Sequence, residues 1–162
     1  MDLLPNINIR GRVEFFDRPW VMGIVNVTPD SFYSGSRTPD EASAEKRIAE
    51  LAEVGADCLD IGGYSTRPGA DDISPEEEYR RLAVGLRAAR KIAPEIPVSI
   101  DTFRASVARR CVDEWDVDII NDISGGTLDP DMWQTVADTR KAYVLMHTRG
   151  TPADMATLTD YD

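Results

Sequence analysis

Histidine and cysteine are scarce in this chain, with one His and two Cys in 162 residues. Cys58 and Cys111 match no metal-ligand spacing and no redox dipeptide motif, so a zinc site and a dithiol centre both lack their ligands. They read as buried free thiols of a reducing compartment. Positive charge is short as well. Lys and Arg number 18 against 29 Asp and Glu, a net charge of −11, and only three of the cations are Lys. That balance argues against a nucleic-acid binder, which draws on surplus cations, while a local anion site needs only a few well-placed Arg. Apolar runs stay well short of the ~20 residues of a membrane span. The opening Met1-Asp2-Leu3-Leu4-Pro5-Asn6 has no basic start and no long apolar run, so no signal peptide is expected. A soluble, cytoplasmic protein is the expectation. No repeat and no linker interrupts the chain, and 42% hydrophobic with 29% charged residues is ordinary for one globular domain.

What is present is an alternation. Short apolar runs occupy Trp20 to Val25, Cys58 to Ile61, Pro97 to Ile100, Val117 to Ile120 and Ala142 to Met146. Each has strand length and turn residues at its ends. Amphipathic stretches lie between them. Thr38-Pro39-Asp40-Glu41 and Ser74-Pro75-Glu76-Glu77 are capping boxes with Pro at the first helical position, and Asp129-Pro130 starts a later helix on the same logic. Ala44, Ile48, Leu51 and Ala52 form one helical stripe, stopped by Gly55. Tyr79, Leu82, Ala83, Leu86 and Ala89 form another, ended at Pro94. A segment from Ile7 to Phe16 around Gly11 reads as a hairpin ahead of the first of these strands.

Strand–helix alternation of this kind implies parallel strands joined by right-handed crossovers, with both strand faces covered. Two architectures meet it, a doubly wound open sheet and a (β/α)8 barrel. The polar residues favour the barrel. Asn26, the Gly62-Gly63 loop, Asp101, Asn121-Asp122 and His147 follow the five runs in turn, whereas an open sheet concentrates its polar groups at one switch point. A barrel takes about 250 residues. Residues 1–162 would supply roughly its first five β/α units, as part of a longer protein or of an assembly that completes the sheet.

Five segments in order resemble the dihydropteroate synthases, a family of pterin-binding (β/α)8 barrels. Met22-Gly23-Ile24-Val25-Asn26-Val27-Thr28-Pro29-Asp30-Ser31-Phe32 is similar to the first family signature, and Asp60-Ile61-Gly62-Gly63-Tyr64-Ser65-Thr66-Arg67-Pro68-Gly69-Ala70 to the second. Ser99-Ile100-Asp101-Thr102, Ile120 to Gly126 and Leu145 to Pro152 resemble the next three blocks. The resemblance spans residues 20–152. It implies a transferase of folate biosynthesis that joins 6-hydroxymethyl-7,8-dihydropterin diphosphate to p-aminobenzoate, with Mg²⁺ assisting diphosphate departure.

The resemblance also implies roles. Asp101, Asn121, Ile123 and Met146 would bind the pterin. A carboxylate suits a ring edge with parallel N–H donors, and an Asn supplies both a donor and an acceptor. Ser65, Thr66 and Arg67 would meet the diphosphate, and Phe32 and Pro68 the p-aminobenzoate. Thr28, Pro29, Asp30 and Ser31 would form a lid that excludes water from a reactive cation. Asn26 would give a hard oxygen to Mg²⁺. His147, the sole histidine, reads as a hydrogen-bonded scaffold residue.

Tyr64 stands where Glu is frequent in the family and Ser34 where a second lid carboxylate is frequent. The family's later pterin-contacting Asp, its Lys-Ser-Arg-like strand and its Arg-x-His anion site have no counterpart in these residues. The 162-residue chain alone is therefore expected to be inactive and to expose apolar strand edges. A full-length protein is expected to be a homodimer. The other readings are a non-catalytic or methyltetrahydrofolate-type pterin-binding module, and a half barrel that self-associates.

Overall fold

The ladder hydrogen bonds carry the first four apolar runs one or two residues past their hydrophobic ends, into the polar residues that follow. The computed structural model describes residues 4–28, 41–65, 71–150, 154 and 157–161. In chain order these hold β1 (Asn6–Ile9), β2 (Arg12–Phe15), β3 (Met22–Asn26), α1 (Glu41–Glu53), β4 (Cys58–Gly62), α2 (Pro75–Ile92), β5 (Val98–Asp101), α3 (Ala105–Trp115), β6 (Ile119–Asp122), α4 (Met132–Thr139) and β7 (Ala142–Leu145). Strands β3 to β7 form one parallel sheet whose spatial order equals their chain order. A doubly wound sheet would reverse direction at a switch point, so the sequential order is that of a barrel wall, here five strands of it.

Side chains alternate across this wall. Val25, Leu59, Ile61, Val98, Ile100 and Ile120 face the helices, where Ala44, Ile48 and Leu51 of α1, Tyr79, Leu82, Leu86 and Ala89 of α2, and Val107, Ala108 and Cys111 of α3 bury them in one core. Both predicted stripes therefore pack as expected, with Ala52 and Ala83 at their margins. Cys58 and Cys111 are buried free thiols, each pushed up to about 12, first by burial. Coverage on both faces holds for β4, which is buried throughout, and fails at β3 and β7. Those two are the sheet's edges, and Ile24 (57%), Val144 (38%) and Leu145 (52%) stand exposed there.

One helix start falls short of expectation and another exceeds it. Ser74 does cap α2, its Oγ accepting from Glu77 N at 3.2 Å. The return half of the box does not form, because the Glu77 carboxylate takes Arg80 and Arg81 instead, at 2.7 and 2.8 Å. Asp129 caps the turn that leads into its own helix, its Oδ1 accepting from Asp131 N at 3.1 Å. Its Oδ2 accepts from Ala105 N at 2.8 Å, so it also caps α3, whose own N-cap Arg104 offers no acceptor. The start of α1 before Glu41 lies outside the described residues.

The β1–β2 hairpin closes on Arg10 and Gly11, both at positive φ, the two-residue turn that matches strand twist. It caps the N-terminal end of the sheet. Ile9, flanked by Ile7 and Trp20, packs on Cys58 and Ile119. Arg10 donates to both carboxylate oxygens of Asp118 (2.9 and 3.0 Å) and to the carbonyls of Pro94 and Ile96. Asp118, 3% exposed, also accepts from Val98 N at 2.8 Å. Removing one partner of such a pair strands the other charge. Asp118→Ala should lower stability by about 3 kcal/mol, read as a shift of the urea unfolding midpoint. A shift below a few tenths would show that the hairpin is not anchored through this pair.

Candidate functional site

The strand register places the polar strand ends in a single layer. Asn26 pairs with Gly62, Gly62 with Asp101, Asp101 with Asn121, and Asn121 with Val144. All lie on the face away from the helices. One layer beneath, two residues earlier on each strand, come Ile24, Asp60, Ser99, Ile119 and Ala142. Gly62 keeps the upper layer open. A Cβ there would lie 3.0 Å from Asn26 Oδ1 and 3.6 Å from Asp101 Oδ2, so those two oxygens flank a slot that any side chain would fill.

The layer is acidic. Burial, and then the charges of Asp60, Glu78 and Asp122, push Asp101 up to about 7. Burial also raises Asp60, although Ser99 and Asn121 pull it back. The Asn121 amide donates from Nδ2 to Asp60 Oδ2 at 3.0 Å. The other oxygen, Oδ1, and the hydroxyl of Ser99 beside it in the register are both buried with no partner outside the pair, and Ser99 is the neighbour that pulls Asp60 back. Asp122 points to the opposite face and is satisfied there by Ser124 N, Gly126 N and the Tyr143 hydroxyl.

A second cluster braces the loop after β4. Glu78 is fully buried in α2 and accepts from Thr102 Oγ1 and Arg104 Nη1, both at 2.6 Å. Arg104 Nη2 reaches Asp72 at 3.0 Å, and its guanidinium lies over the rings of Tyr64 and Phe103. Tyr64 donates its hydroxyl to Asp72 at 3.2 Å and meets Phe103 edge-on. Where a Glu would offer a charge, Tyr64 offers a ring for Arg104 to stack on and a hydroxyl for Asp72.

Of the residues the sequence singled out, Asn26, Asp101 and Asn121 come together in the upper layer. Ile123, half-buried, and Met146, 37% exposed, follow β6 and β7. Thr28 is buried just beyond β3, and Ser65 is half-buried just beyond β4. Pro29, Asp30, Ser31, Phe32, Ser34, Thr66, Arg67 and Pro68 lie outside the described residues. His147 is exposed, with Nε2 3.3 Å from the Tyr161 hydroxyl. Among the described residues no group of three or more His, Cys, Asp or Glu could hold a metal ion. Sequence reasoning missed Asp60 and Ser99 as part of the site. Their signal was a carboxylate and a hydroxyl at inward positions of otherwise apolar strands, in step with Gly62 and Asp101.

The chain matches the family model described as pterin binding enzyme over residues 22–162. It is 43% identical to the dihydropteroate synthase of Synechocystis sp. over 89% of this chain and 49% of that protein. Among solved structures it is similar to the Xanthomonas albilineans dihydropteroate synthase with 4-aminobenzoic acid (42% identity, TM-score 0.78, 99% of this chain and 55% of that one). It also resembles the Yersinia pestis dihydropteroate synthase with a sulfonamide drug complex (34% identity, TM-score 0.83, 98% and 56%). The chain thus spans about half the length of these relatives. No helix among the described residues is long and apolar enough to cross a membrane.

The raised proton affinity of Asp101 has a measurable consequence. An unfolded chain ionises this group near pH 4, the folded one near pH 7. The folded state therefore binds the extra proton between those values, and stability falls as pH rises through that window. Above it the charged form is held at a cost, which water at the mouth reduces. Asp101→Asn should stabilise by about 1–2 kcal/mol at pH 8 and by little at pH 4, measured by urea unfolding. A gain independent of pH would contradict the assignment.

Proposed function

Because the chain belongs to the pterin binding enzyme family, we propose that the protein is a dihydropteroate synthase. It would condense 6-hydroxymethyl-7,8-dihydropterin diphosphate with p-aminobenzoate to give 7,8-dihydropteroate and diphosphate. The observation that carries this reading is the inward layer Asn26–Gly62–Asp101–Asn121, a slot with acceptors on its walls, within the matched residues.

The chemistry fits the electrostatics. The amine nitrogen of p-aminobenzoate attacks the pterin methylene and forms a C–N bond. The C–O bond breaks, diphosphate leaves with the electron pair, and the new ammonium group loses a proton. In the transition state the pterin gains positive charge and the departing group negative charge. Asp101, with Asp60, Glu78 and Asp122 near it, surrounds the pterin end with a negative field that favours that cation. A cationic ring in turn favours the ionised form of Asp101. The same field repels diphosphate outward, to the strand ends.

That end therefore needs cations. Asn26, exposed at the rim, suits Mg²⁺ through its amide oxygen, an uncharged hard ligand that leaves the ion its waters and phosphate partners. Mg²⁺ bound there would neutralise diphosphate charge. Arg67 is the second cation we assign to the diphosphate. Arg104 is committed to Glu78 and Asp72 and serves to hold the loop after β4. Ile123 and Met146 are the apolar walls for the pterin, Phe32 and Pro68 contacts for p-aminobenzoate, and Thr28 to Ser31 the lid. A cytoplasmic homodimer completes the proposal.

The test is turnover of the protein at its natural length with both substrates and Mg²⁺, following dihydropteroate by chromatography. Product is expected, and Asp101→Ala should lower kcat/KM by about 100-fold, equivalent to ~2.7 kcal/mol of transition-state stabilisation. Tight pterin binding without product would replace the synthase with a binding module. Absence of both would remove the pterin reading altogether.

A further inference from the structure

Asp60 has the environment of a group selected for more than packing. It sits in the middle of β4, 7% exposed, where an apolar side chain would fill the wall at lower cost. One of its oxygens takes the Asn121 amide, and the other has no partner but the adjacent hydroxyl of the fully buried Ser99. A buried carboxylate with so few donors is rarely kept without a reason.

We propose that Asp60 is the positioning residue that gives the site its preference among planar heterocycles. A carboxylate accepts hydrogen bonds and an amide can do either, so the contact at Asp60 Oδ2 requires the NH₂ end of Asn121 to point down. The carbonyl Oδ1 is then turned up to the mouth, in the layer shared with Asp101 on the adjoining strand. Two acceptors side by side select a ring edge with two N–H donors and reject one that presents a carbonyl in place of an amine. Without Asp60 the amide is free to turn over and to offer a donor there instead. Asp60 Oδ1 and the Ser99 hydroxyl lie one layer below, on the same inward face.

The proposal rests on the pterin reading and deepens it. Its test compares two probes on the protein at its natural length, 2-amino-4-oxopteridine and 2,4-dioxopteridine, which differ in one amine-for-carbonyl exchange. The wild type should prefer the amino compound. Asp60→Asn, nearly isosteric, should weaken binding of the amino compound by about tenfold and leave the dioxo compound within twofold, so that the preference collapses. The exchanged pair D60N/N121D keeps the hydrogen bond with its direction reversed and again leaves an acceptor at the mouth. It should restore the preference. Equal losses for both probes in D60N, or an unchanged preference, would make Asp60 a purely structural residue and overturn the proposal. If D60N does not fold, the exchanged pair carries the test alone, and a preference unlike that of the wild type overturns it. Failure of the wild type to bind the amino compound removes the pterin reading itself, whatever Asp60 does.

Discussion

Parallel pairing in step is the constraint from which the site descends. Each strand of the wall is set so that its last inward residue falls level with its neighbour's, and Asn26, Gly62, Asp101 and Asn121 therefore share a layer. A one-residue slip of any strand would turn its polar end into the helix-packed core and bring a Val or Ile into the slot. The apolar outer face makes such a slip costly, since Val25, Ile61, Ile100 and Ile120 would lose their helix contacts. The core that stabilises the fold thus also sets the geometry of the polar layer. At the other end of the strands, the β1–β2 hairpin supplies an independent reference, with Arg10 bound to Asp118 and to two carbonyls of the loop before β5.

The acids of the wall divide by the face on which they lie. Asp118 and Asp122 are surrounded by donors and serve the scaffold. Glu78 is buried but paired with Thr102 and Arg104, and it ties α2 to the strand end that carries Asp101. Burial raises the proton affinity of Glu78, Asp101 and Asp60 alike, but Glu78 has Thr102 and Arg104 as partners among the helices, whereas Asp101 and Asp60 lie on the inward face with far fewer donors. The proposed pterin, which brings N–H donors and develops positive charge, is the compensation we assign to these two groups.

Much of this was legible in the residues. The alternation of apolar runs and capped helical stripes gave the order of elements, and five polar strand ends pointed to a barrel ahead of an open sheet. What stayed hidden depends on tertiary neighbours. Asp129 reads as the cap of its own helix and does accept from Asp131 N there, but its second oxygen also caps α3, a partner 24 residues earlier that adjacency in sequence does not reveal. Glu77 fits a capping box, but two arginines one turn away outcompete a single backbone amide. That the chain would expose apolar strand edges was expected from its five strands, but composition could not say which residues of β3 and β7 stand exposed, since that depends on what lies beside them.

Asp60 illustrates the deeper limit. Inside Cys58-Leu59-Asp60-Ile61 it reads as the polar interruption of a strand, and nothing local distinguishes an exposed carboxylate from one 93% buried. Only the register shows that it lies beneath Asn121 and beside Ser99. The parity rule would have found it: in a barrel wall whose inward positions are known from Gly62 and Asp101, any polar residue two positions earlier belongs to the same interior. Applied to this chain, that rule selects Asp60 and Ser99 and passes over Asp118, Asp122 and Glu78. Among the described residues, these two carry the buried side-chain oxygens with no partner outside the pair. Periodicity thus carries functional information once one site residue on a strand is identified, because the chemistry of a barrel interior repeats every second residue.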